Sequence, residues 1–142
     1  MADETAQKYS VVVKRDGETK AVAQAREHVL VLNAAKGQGT AGFNAAETLM
    51  ASLGVCLMTN LNALSKKMHL RVDDATVEID ALRFQDPPGI VELSYTLTLV
   101  SPEPQDKLEQ LHDLSVKWGT VTNTLISGVQ PVGFLRVKIP QN

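Results

Sequence analysis

The sequence predicts an α+β fold, with strands clustered in antiparallel runs and helices set between the runs. Three observations carry that reading. Val91, Leu93, Tyr95, Leu97 and Leu99 alternate with Glu92, Ser94, Thr96 and Thr98, the pattern of a strand with one buried and one wet face. Leu49, Leu53, Cys56, Leu57, Leu61, Leu64 and Met68 recur at helical spacing for about five turns. Near the N-terminus, Arg15-Asp16-Gly17-Glu18 separates two strand-like stretches and reads as a hairpin turn, because Asp-Gly tolerates a left-handed backbone.

Each element follows in chain order. Residues 1–7 read as a frayed tail. Tyr9, Val11 and Val13 begin a first strand, and strands over 19–25 and 28–33 complete a meander. Residues 36–42 form a glycine-rich loop without the Lys-Ser/Thr ending of a P-loop, which excludes that mode of phosphate binding. Asn44 is a good N-cap with Glu47 three residues on, so a helix is expected over 45–67. It would be about 35 Å long, as long as a domain of this size is wide. Ala45, Ala46, Ala51, Ser52 and Gly54 keep its first half slim enough for another backbone to approach.

Two further strands follow, over 75–81 and 91–99, around a turn at 86–89. Ser101-Pro102 would open a helix with an apolar stripe of Leu108, Leu111, Leu114 and Trp118, ended by Gly119. A short helix over 121–127 stops at Gly128, and a last strand over 132–139 closes the chain. The 142 residues read as one domain with no internal repeat.

Composition narrows the function classes. Formal net charge is −2 and aromatics are 4%, so neither a basic footprint nor stacking platforms for nucleic acid are present. One cysteine excludes a disulfide framework within the chain and a Cys-rich metal site. His28, His69 and His112 lie in different elements without ligand spacing, so neither metal nor cofactor is expected. The N-terminus lacks an apolar signal core, and Ser52, Thr59, Asn60 and Asn62 interrupt the most apolar window, which falls short of a membrane span. A cytoplasmic soluble protein is expected.

Cys56 leaves two readings open. Unpaired cysteine often packs as a small hydrophobe. A nucleophile instead needs a thiolate stabilised by a nearby cation or dipole and open to substrate. Mid-helix the dipole contributes little, so an arginine from elsewhere would have to act.

The stretch Gly42-Phe43-Asn44-Ala45-Ala46-Glu47-Thr48-Leu49-Met50-Ala51-Ser52-Leu53-Gly54-Val55-Cys56 resembles the OsmC/Ohr family, the osmotically inducible and organic hydroperoxide resistance proteins. Their pattern is roughly G-x-N-P-E-E-L, then a small-residue run ending in Cys, at the start of a long buried helix. Val121-Thr122-Asn123-Thr124-Leu125 is similar to the family's C-P-V-S-N-x-L, and the order of elements agrees along nearly the whole chain. The resemblance implies antiparallel sheets wrapped around long central helices in an intertwined homodimer, with an active site at each subunit boundary. It also implies a chemistry. Active members reduce organic hydroperoxides: the helix cysteine becomes a sulfenic acid, a second cysteine condenses with it, and a dithiol reopens the disulfide.

By that resemblance Cys56 takes the attacking position, and Gly119 stands where the second cysteine would be. The family's acid falls on Ala46; Glu47 matches the next position, although its spacing from Asn44 also makes it a capping residue. Arg15 resembles the arginine of an Arg-Asp-Gly in the family's first hairpin and is the candidate thiolate partner, with an exposed turn arginine as the plain reading and Arg26 as the alternative. The expected activity is thiol-dependent hydroperoxide reduction at Cys56, resolved by an external thiol. The alternative is a non-catalytic relative that binds an apolar small molecule at the dimer boundary. A purely structural dimer is the third reading.

Overall fold

The computed structural model describes residues 6–37 and 39–140; the first five residues of the expected tail lie outside the described residues. The elements are β1 (Val12–Asp16), β2 (Lys20–Ala25), β3 (His28–Asn33), α1 (Ala45–Lys67), β4 (Asp74–Gln85), β5 (Pro88–Val100), α2 (Gln105–Lys117) and α3 (Thr120–Ser127). The class is α+β, with antiparallel sheets and helices as expected. The chain divides into two compact units, and α1, β4 and β5 each contribute residues to both.

The first unit comprises Met1–Ser52 and Ile79–Ser94. Its meander has strand order β1-β2-β3. Asp16 pairs with Lys20, so the turn falls on residues 17–19, where 15–18 was expected. Gly17 takes φ +74 there, a region open to glycine at little steric cost. Ala21 pairs with Leu32 and Ala23 with Leu30 across the second hairpin. The glycine-rich loop then returns the chain to the sheet, where the Asn33 N–H donates to the Phe43 carbonyl at 2.9 Å. Gly42 has φ +153, and a Cβ there would lie 2.6 Å from the Val31 carbonyl oxygen, so a side chain is excluded on two counts. Ala23 and Asn33 are buried in this sheet, whereas Val12, Val13, Val29, Leu30 and Val31 are at least half exposed.

The second unit comprises Leu53–Glu78 and Tyr95–Asn142. Its core is a row on α1, Leu53, Leu57 and Leu61 at successive i, i+4 positions, together with Leu111 of α2. By length and composition α1 qualifies as a membrane-crossing helix, contrary to expectation. The burial of its leucine row and the tertiary bond of Asn60 described below identify it as a core helix. It ends where expected, with His69 in the left-handed region at φ +58 and the Leu70 N–H returning to the Ser65 carbonyl at 2.8 Å.

Four further expectations are corrected. β4 runs to Gln85 and β5 starts at Pro88, so the hairpin is longer and its turn tighter than the sequence pattern indicated. α2 begins at Gln105 rather than at Ser101-Pro102, because Pro104 holds the preceding residue extended and itself becomes the N-cap, at φ −62 and ψ 146. Trp118 is not part of the buried stripe: it is 65% exposed, with the Lys117 ammonium 5.6 Å above its ring. Residues 132–139 form no strand. Val132, Phe134, Leu135, Val137 and Ile139 are all exposed there, since a strand exists only through a hydrogen-bonding neighbour and none of the described strands pairs with this segment.

Candidate functional site

Cys56 lies on α1 of the second unit and is half-buried. One turn further on, the Asn60 amide donates to the Ser115 carbonyl at 3.0 Å. That contact is part of a closed account at the end of α2. A helix leaves its last four carbonyls without partners. Here Leu114 accepts from the Trp118 N–H, Ser115 from Asn60, and Val116 from both the Gly119 N–H and the Thr122 hydroxyl; Lys117 accepts from the Asn123 amide. The Thr122-Asn123 pair thus earns its place structurally, by holding the α2–α3 junction.

Gly119 occupies that junction with ordinary extended angles, φ −86 and ψ 127, so its backbone does not demand glycine. Its surroundings do. A Cβ at this position would collide with Thr122 Oγ1, would stand 3.0 Å from Cys56 Sγ, and would lie 3.3 Å from the Ser115 carbonyl. Thr122 is buried, with its hydroxyl donating to Val116 and Gly119 carbonyls at 2.8 and 2.9 Å. The sulfur, the missing side chain and the threonine hydroxyl therefore share one small volume. Sequence reasoning missed Ser115 here and met Thr122 only within the stretch Val121-Thr122-Asn123-Thr124-Leu125 that resembles the family motif.

The other expected site residues belong to the first unit. Arg15 is exposed on β1, opposite Ala21, and its Nε donates to the Gly17 carbonyl at 3.0 Å. Arg26 takes φ +56 in the turn between β2 and β3 and is likewise exposed. Glu47 closes a capping box: its N–H donates to Asn44 Oδ1 at 2.8 Å, and its carboxylate accepts from the Asn44 N–H at 3.0 Å. Ala46 borders a cleft of about 890 Å³ together with Lys36, Asn44 and Arg83, and no carboxylate lines it. Arg83 escaped the sequence reading because it lies on the unexpected extension of β4. Among the described residues no cluster of His, Cys, Asp or Glu could hold a metal ion.

The sequence pattern of the family described as OsmC-like protein matches residues 36–132 of this chain. The chain belongs to the OsmC-like family. Solved structures agree on the fold. The OsmC-like protein of Mycoplasma pneumoniae is 19% identical, with a TM-score of 0.80 over 88% of this chain and 91% of that one. The organic hydroperoxide resistance protein OhrB of Bacillus subtilis is 14% identical, with a TM-score of 0.62 over 86% and 93%. An organic hydroperoxide resistance protein OsmC from Legionella pneumophila is 14% identical, with a TM-score of 0.64 over 86% and 91%. Among curated proteins, none matches the chain. Within the OsmC-like match lie Cys56, Gly119 and the Thr122-Asn123 pair, whereas Arg15 and Arg26 precede it.

Proposed function

We propose that this OsmC-like protein serves a stress response by reducing organic hydroperoxides at Cys56, with an external thiol in the part of the missing second cysteine. The observation that supports this reading is the 3.0 Å between Cys56 Sγ and the Cβ position of Gly119. The two positions that the family resemblance pairs chemically are neighbours here, and the second sulfur is lacking.

The chemistry balances in three steps. The Cys56 thiolate attacks one peroxide oxygen, the O–O bond breaks, and the alkoxide leaves and takes a proton to become an alcohol. The sulfenic acid on Cys56 then condenses with a small thiol, releasing water and forming a mixed disulfide. A second thiol, as thiolate, attacks that disulfide, restoring Cys56 and leaving the oxidised reductant. Arg15 is the proposed thiolate partner: among the described residues its terminal nitrogens carry no hydrogen bond and remain available to an anion. Glu47 spends its carboxylate on the capping box, so its proposed part is to fix the start of the helix that carries Cys56.

The working form is proposed to be a cytoplasmic homodimer. Support comes from apolar surface that the single chain leaves in water, including Leu30 and Val31 on the meander, Val55 on α1, and Phe134 at 97% exposure in the C-terminal segment. Light scattering on purified protein tests the assembly and should return twice the chain mass.

The activity is tested by following cumene hydroperoxide consumption in the presence of dithiothreitol. Turnover that disappears in Cys56→Ser, with a dimedone adduct on Cys56 when the thiol is withheld, is the expected result. No consumption with any dithiol and no effect of Cys56→Ser would favour the second reading, a non-catalytic binder of an apolar small molecule at the dimer boundary. The absent second sulfur at Gly119 and the alanine at position 46 are the observations that favour that reading.

A further inference from the structure

Helix α2 and strand β5 meet through one polar contact and leave a cleft beside it. The Tyr95 hydroxyl and His112 Nε2 are 2.6 Å apart, and their rings stand edge to face, with centroids separated by 5.7 Å. The adjoining cleft has a volume of about 300 Å³, at the small end of the range for ligand sites. Its walls follow from the two periodicities. Tyr95, Leu97 and Leu99 share one face of β5, while Leu108, Glu109 and His112 share one face of α2. Leu97, Leu99 and Leu108 supply apolar contact, and all three are half-buried.

The charge of the cleft has one sign. Among the described residues Glu109 is its single charged lining residue, and its carboxylate is held only by a long 3.3 Å contact from the Gln105 amide. Tyr95 stays neutral well into the alkaline range, chiefly because of burial and then because of the Asp113 carboxylate. Among the described residues no lysine or arginine lines the cleft. A carboxylate beside a leucine floor, with a phenol oxygen able to accept a further hydrogen bond, matches an ammonium head on a short hydrocarbon tail.

We propose that the α2–β5 cleft is a binding site for small apolar amines. The ammonium bonds to Glu109 and to the Tyr95 oxygen, and the tail covers Leu97, Leu99 and Leu108. This site is independent of the chemistry proposed at Cys56, and its occupancy is unaffected if that chemistry fails.

The test is a titration of the full-length protein with hexylammonium, hexanol and hexanoate, read by leucine methyl NMR. Saturable shifts at Leu97, Leu99 and Leu108 are expected with hexylammonium. Its affinity should exceed that of hexanoate by more than about three-fold, since one partly screened charge-assisted bond separates the two. Glu109→Gln should abolish that preference. Shifts that do not saturate, a smaller preference, or a preference that survives Glu109→Gln would each overturn the proposal.

Discussion

A Cβ built on Gly119 stands 3.0 Å from the sulfur of Cys56. In a disulfide the Cβ of one cysteine and the sulfur of the other are about 3 Å apart, given an S–S bond of about 2.04 Å. The junction therefore has the spacing of a disulfide and lacks one of its two sulfurs. Thr122 is the obstacle, since its hydroxyl occupies the space that the new side chain needs.

The double variant Gly119→Cys/Thr122→Ala should oxidise to an intrachain disulfide with Cys56. Thiol titration of the denatured protein should then fall from two free thiols to none, with an unchanged chain mass on a non-reducing gel. Gly119→Cys alone should oxidise more slowly, because Thr122 must first move. A double variant that keeps both thiols under air and copper would show that the two positions do not face each other in solution.

Asn60 and Asn62 make a matched pair for stability. Asn60 donates to the Ser115 carbonyl across 55 residues of sequence, whereas Asn62 is exposed. Asn60→Ala leaves a partly buried carbonyl without its donor and should cost about 1–2 kcal/mol. Asn62→Ala should stay within about 0.5 kcal/mol of the parent. Urea denaturation at constant m-value separates the two, and equal effects would remove Asn60 from its role as a cap on α2.

Local signals were legible in the sequence and tertiary ones were not. The bounds of α1 agree with expectation because both ends are set locally: Asn44 and Glu47 cap each other, and the leucine row spans the rest. The start of α2 was misplaced through a conflict between two local rules. Pro102 suits a first helical turn, but Pro104 two residues later overrides it. At 81–84 the strand pattern breaks down because Ala81 and Leu82 are adjacent apolar residues, although backbone pairing continues to Gln85. The segment 132–139 has a strand-like composition but no pairing neighbour among the described strands, and a strand needs one. The Cys56–Gly119–Thr122 arrangement was visible in the sequence only as a glycine where a relative has a cysteine. The packing that gives that glycine meaning depends on Asn60 reaching Ser115, which no window of sequence contains.

The capping box separates two roles for Glu47. Asn44→Ala removes the side-chain acceptor for the Glu47 N–H and should cost about 1 kcal/mol in thermal or urea unfolding. Glu47→Gln keeps an acceptor oxygen for the Asn44 N–H and should cost less. If Glu47 serves the helix alone, Glu47→Gln should retain hydroperoxide turnover within about two-fold, whereas Arg15→Ala should lower it about ten-fold or more, in line with loss of a charge partner. A ten-fold loss in Glu47→Gln would instead give its carboxylate a direct part in the chemistry.

Tyr95 gives the chain a pH dependence with a definite sign. Its phenol ionises above the usual value of about 10, first because burial disfavours the phenolate and then because Asp113 repels it. The folded chain therefore keeps this proton where the unfolded chain has begun to lose it. Stability from the group is fully present below about pH 10 and is lost as pH rises through the raised value. Tyr95→Phe removes this alkaline loss. At neutral pH it also removes the hydrogen bond to His112, at a cost of about 1 kcal/mol. Urea midpoints measured from neutral pH to about pH 11 should start lower for the variant, and the gap to the parent should narrow as Tyr95 ionises. A gap that stays constant across the alkaline range would mean that Tyr95 meets the same surroundings folded and unfolded, and that the His112 contact does not hold the phenol in place.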